Sequence, residues 1–63
     1  MSENTKGTIL GSAFDLFKEK SLNEATIEDV AEEAGVSKGA VFHYFDSKSE
    51  LAVKCLKRAP KLQ

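Results

Sequence analysis

The groups in this sequence best able to do chemistry are two lysines and a run of aromatic side chains. Phe42-His43-Tyr44-Phe45 lies between Lys38 and Lys48. Ammonium groups meet phosphates and base-edge acceptors, and flat rings pack on sugars, methyl groups or other apolar surfaces. Catalysis finds no comparable footing. His43 and Cys55 are the only histidine and the only cysteine, and structural zinc takes about four such ligands. No nucleophile and base stand at usable spacing, and no glycine-rich loop could cradle a phosphate. A chain of 63 residues buries only about 60% of the surface it exposes when unfolded, which is too little for a large enclosed active site. No metal and no cofactor are expected, and Cys55 is read as a small filler of the core.

Helical geometry limits what the aromatic run can do. Val41 and Phe45 stand one turn apart and define an inner face, so Phe42, His43 and Tyr44 cannot all point inward. At least two of the three must be exposed, and exposed rings beside lysines call for a partner. That partner is either nucleic acid or another protein, and salt dependence separates the two. Phosphate binding weakens linearly in log salt, whereas an aromatic protein interface barely responds.

Charge sharpens the picture without deciding it. Residues 1–33 hold three lysines and eight acids, while residues 34–63 hold six bases and two acids, so the net charge of −1 hides halves of −5 and +4. The basic half carries the aromatic run. The acids Glu24, Glu28, Asp29, Glu32 and Glu33 read as a solvated face turned away from an anionic partner. A sequence pI of 5.7 is nonetheless far below the value above 9 typical of strongly basic nucleic-acid binders. With 41% hydrophobic and 30% charged residues, the composition is that of a folded soluble chain. No apolar run approaches the roughly 20 residues of a membrane span. The polar stretch Met1 to Lys6 lacks a signal-peptide core, so an intracellular, cytoplasmic location is expected.

The elements that must position these groups are all helices. Ile9, Ala13, Leu16 and Phe17 fall at helical spacing, with Leu10 and Phe14 as a second apolar row, which predicts a helix over about 5–20 capped by Thr5. A turn follows at Ser21 to Ala25, where Asn23 is the residue most able to take a left-handed conformation. Thr26 caps a second helix over 26–34, with Glu28 and Asp29 in its first turn and Ile27, Val30, Ala31 and Ala34 on its buried face. Gly35 suits a left-handed C-cap, Val36 returns to the core, and Ser37 caps a third helix over 37–45. Ser47-Lys48-Ser49-Glu50 matches a capping box and opens a fourth over 47–59, with Leu51, Cys55 and Leu56 inward and Pro60 as terminator.

Two helices joined by Gly35-Val36-Ser37 describe a helix-turn-helix over about 26–45, whose second helix is the one that enters a major groove. The spacing has a physical basis. Ala31 is small where the helices cross, Gly35 takes the turn conformation, and Val41 plugs the second helix onto the first.

The string from Thr26 through Phe45, followed by Ser47-Lys48-Ser49-Glu50-Leu51, resembles the N-terminal DNA-binding domain of TetR-type transcriptional repressors. The likeness runs from about Ile9 to Leu56, and the aromatic cluster before a lysine is its most specific feature. It implies an all-α, homeodomain-like bundle that binds double-stranded operator DNA, palindromic because the full-length protein pairs as a homodimer. It further implies a helical domain after the fourth helix, absent from this chain, that dimerises and takes a small-molecule effector. Carried over by position, Lys38, Gly39 and Ala40 face base edges from the first turn of the recognition helix. Phe42, His43 and Tyr44 touch phosphates, sugars or thymine methyls, Lys48 meets a phosphate, and Thr26 and Ser37 offer hydroxyls and helix-terminal amides to the backbone. Three departures matter. Phe42 replaces a common Tyr and can only stack or contact a methyl. Ser21 replaces a common Gly, at some cost to the end of the first helix. Glu28 stands where some members carry a base-contacting arginine, and the arginine's contact is not carried over to it.

Overall fold

A computed structural model describes the backbone of residues 2–58 and the side chains of residues 5–57. Four helices follow one another: α1 (Ser2–Glu19), α2 (Ile27–Ala34), α3 (Lys38–Tyr44) and α4 (Lys48–Arg58). α1 packs against α2 and α4, touches α3, and leaves α2 and α3 against each other. Their shared core consists of Ile9, Ala13 and Leu16 from α1, Val30 and Ala31 from α2, Val41 and Phe45 at α3, and Leu51 and Cys55 from α4. Phe45, Ile9, Leu51, Val30 and Val41 are its largest fully buried side chains, each contributing roughly 1.5–3 kcal/mol through removal of its apolar surface from water. Leu10, Phe14, Phe17, Ile27, Ala34, Val36 and Tyr44 form a half-buried rim.

The helix limits follow local hydrogen bonding. Thr26 Oγ1 accepts from the Asp29 N–H at 3.0 Å while Asp29 Oδ2 accepts from the Thr26 N–H at 3.2 Å, so α2 opens with a complete capping box. It closes on Gly35, which sits at φ 75°. The Gly35 N–H donates to Glu32 O at 3.2 Å and the Val36 N–H to Ala31 O at 2.9 Å, the paired bonds of a Schellman turn. Ser37 Oγ then accepts from the Ala40 N–H at 3.1 Å and starts α3 within two residues. At α4, Ser47 Oγ accepts from the Glu50 N–H at 3.1 Å, but the Glu50 carboxylate reaches back one residue further than a capping box requires and accepts from Asp46 N–H at 2.8 Å.

Three expectations need correction. Thr5 does not cap α1, which begins at Ser2 and carries Thr5 within it. Asn23 does not adopt a left-handed conformation, since among the described residues only Gly35 has positive φ. Ser21 closes that turn instead: its carbonyl accepts from the N–H groups of Glu24 and Ala25, both at 3.0 Å, and its hydroxyl accepts from Glu24 at 3.3 Å. Leu56 is not part of the inner stripe and is 77% exposed, because α4 meets the core only along Leu51 and Cys55. Ala25 lies in the turn, as expected, and is fully buried there. Pro60 lies outside the described residues.

Candidate functional site

The Schellman turn sets α3 against α2, and Val41 and Phe45 anchor it from beneath. What remains outward is its first turn and one flank. Ser37, Lys38, Gly39, Phe42 and His43 are exposed, Ala40 and Tyr44 half-buried. Two of the three rings beside Phe45 thus face solvent, as helical geometry demands, with Phe42 42% exposed. His43 and Tyr44 meet edge-on at 4.9 Å between centroids, so the half-buried tyrosine, which packs on the core, orients the exposed imidazole. Gly39 is open: a Cβ built on it would meet only Ser37 Oγ, at 3.9 Å. Nothing within the protein requires a glycine there.

Thr26 and Ser37 both act as caps. Capping uses an oxygen lone pair, and the hydroxyl proton is a separate donor that a phosphate can accept. Cys55 is buried, its thiol 3.7 Å from the Leu10 carbonyl oxygen. Among the described residues no group of three or more His, Cys, Asp or Glu side chains could hold a metal ion.

The lysines occupy two different settings. Lys48 is half-buried, and its ammonium donates to the carbonyls of Leu22 at 2.6 Å and Ala25 at 2.8 Å. It therefore ties the start of α4 to the turn before Thr26, and one of its three donors is left over. Sequence reading missed this clamp because lysine–carbonyl bonds across more than twenty residues carry no local signal. Lys38 is exposed, and its ammonium lies 3.4 Å from Glu28 Oε2. That contact was missed too: Glu28 belongs with the surface of α3 and not to a remote acidic face. Asp29, by contrast, is turned to Thr26 and to Lys20, 3.5 Å away. The Thr26 N–H, more than any other group, holds its carboxyl below the ordinary 3.8; slight desolvation opposes this and the Lys20 charge assists it.

A tri-residue joint with a left-handed glycine, a small residue at the crossing and an outward second helix define a helix-turn-helix protein. Comparison with known proteins agrees. The family described as bacterial regulatory proteins, tetR family, matches residues 9–55. The transcriptional repressor KstR2 of Rhodococcus jostii is 37% identical over 49 residues, which is 78% of this chain and 24% of that protein. The biofilm operon negative regulator IcaR of Staphylococcus aureus is 36% identical over 53 residues, covering 79% and 28%. The crystal structure of NalD, secondary repressor of a multidrug efflux pump in Pseudomonas aeruginosa, superimposes with a TM-score of 0.89 at 35% identity, over 98% of this chain and 31% of its own. The chain belongs to the TetR family of bacterial regulatory proteins. It spans about a quarter of the length of the curated relatives it matches.

Proposed function

We propose that this chain is the sequence-specific, double-stranded DNA-binding part of a transcriptional regulator that acts as a repressor. The observation that carries the reading is the outward first turn of α3, where Lys38, Gly39 and Ala40 stand on a helix set in place by the caps at Gly35 and Ser37. Base edges are read from this turn. Phe42, His43 and Tyr44 contact the adjoining sugar-phosphate or thymine methyls, and Thr26, Ser37 and Lys48 fix the register through phosphates. Ala31, Gly35 and Val41 serve the geometry of the motif and touch no DNA. The chain performs no catalysis and works in the cytoplasm, where bacterial operators are found; among the described residues no helix is long and apolar enough to cross a membrane.

In the full-length protein we assign dimerisation and effector binding to a further helical domain beyond this chain. A largely apolar groove between α1, the turn that follows it and α4, lined by Phe14, Phe17, Lys18, Leu22, Ala52, Cys55 and Leu56, supports this assignment. A homodimer then meets a palindromic operator, and a small-molecule effector sets its occupancy.

The test is a salt titration of binding to duplex DNA, paired with Lys38→Ala. Log affinity should fall linearly with log salt, by roughly 0.9 per phosphate neutralised, and Lys38→Ala should alter the preferred sequence. Binding indifferent to salt would instead mark the exposed rings as a protein-association surface.

A further inference from the structure

We infer that Glu28 is a specificity residue, and that the Lys38–Glu28 pair reads one G·C base pair of the operator. The inference rests on the DNA-binding reading above. It starts from a juxtaposition: the carboxylate of Glu28, in the first turn of α2, lies 3.4 Å from the ammonium of Lys38, in the first turn of α3, and both side chains are largely exposed at 72% and 53%. The pair thus bridges the two helices of the motif at the end of α3 that faces outward. An exposed ion pair of this kind is loosely held, so its two partners can exchange each other for groups on a ligand.

Its chemistry is one donor beside one acceptor. In the major groove a G·C pair shows the N7 and O6 acceptors of guanine next to the N4 amino donor of cytosine. O6 and N4 are themselves hydrogen-bonded in the base pair, so they lie about 2.7–3.2 Å apart, close to the separation of the two charged groups. Lysine can satisfy O6 and N7 together while the glutamate accepts from N4, and every groove-edge group of the pair then has a partner. On A·T the match is poorer. A glutamate on the adenine amino group leaves the lysine either N7 or thymine O4, with one acceptor unmet and the thymine methyl against the charges. The adjacent Asp29 does not blur this readout, because it is engaged by Thr26 and Lys20.

Glu28 also excludes sequences. A base presenting an acceptor where cytosine N4 should stand places lone pairs against a carboxylate, and this repulsion rejects wrong partners as effectively as contact favours the right one.

The experiment is selection from random duplex DNA at low salt by the chain itself, by Glu28→Ala and by Glu28→Gln, with circular dichroism to establish that all three are folded. The unmodified chain should enrich G·C at one position. Glu28→Ala should lose that preference, which a good paired contact sets at roughly 5- to 150-fold, while preferences elsewhere persist. Glu28→Gln should shift the position toward A·T, since glutamine pairs with adenine N6 and N7. If Glu28→Ala keeps the same preferences and binds every duplex more tightly, Glu28 is only a repulsive charge and the inference falls alone. If the unmodified chain binds no duplex more tightly as salt is lowered, the DNA-binding reading falls with it.

Discussion

Lys48 shows how one side chain can hold two roles. Its ammonium donates to Leu22 and Ala25 carbonyls, and bonds of that kind, with a charged donor, are stronger than neutral ones. Lys48→Ala should therefore lower stability by about 1–3 kcal/mol in chemical denaturation. It should also weaken binding to all duplexes alike and reduce the salt slope by about one. A lysine serving phosphate alone would leave the denaturation midpoint where it is. Gly39 makes the opposite case. Space for a Cβ is open, so Gly39→Ala should raise stability by roughly 0.5–1 kcal/mol through helix propensity. The same methyl stands where a base edge must approach, and DNA affinity should fall several-fold. Thermal melting and duplex titration on the one variant check both halves. A gain in stability without loss of binding would show that close approach at Gly39 is not used.

Each element of the motif depends on how it begins and ends. Gly35 takes φ 75° with open space around it, so the penalty for Gly35→Val is backbone strain without a steric clash. The expected loss is about 1–3 kcal/mol, measured by denaturant titration; a variant that unfolds like the parent would contradict the left-handed joint. The start of α2 should respond to pH. Asp29 has its carboxyl lowered beneath 3.8, so the unfolded chain takes up this proton before the folded chain does. The stabilisation is complete above that value and is lost as pH falls through the lower, folded one. Asp29→Asn should flatten the fall in stability below about pH 4, as followed by circular dichroism melts from pH 7 to pH 2.

For the whole molecule the limiting quantity is the free energy available to one copy. A chain with net charge −1 and one short recognition helix releases few counterions, so its affinity for a single half-site should be weak. Two copies linked with their recognition helices about 34–36 Å apart should bind a palindrome whose half-sites are one helical turn apart. The gain over one copy should be roughly 10²–10⁴-fold from effective concentration alone. Fluorescence anisotropy on a selected palindrome, single chain against linked pair, measures it; nanomolar binding by the single chain in physiological salt would contradict this architecture.

Sequence and tertiary structure decided different things about this chain. Helix number, the joint at Gly35, the caps Thr26, Ser37 and Ser47, and the inward Val41 and Phe45 were legible because each follows from bonds or periodicities spanning a few residues. The outward placement of two rings from Phe42, His43 and Tyr44 followed from the same period. Local rules also erred where a choice was open at short range: Thr5 was a chemically sound cap that α1 bypasses, and Asn23 a permissive turn residue that Ser21 made unnecessary. Which apolar side chains of α4 turn inward, why Leu56 does not, and why Ala25 is buried depended on how α1 lies across α4 and the turn. The lysine partners were decided at that level as well. Lys48 finds carbonyls 23 and 26 residues away, and Lys38 finds Glu28 across a helix joint. Long flexible side chains choose partners by proximity in space, and proximity exists only after the helices have packed.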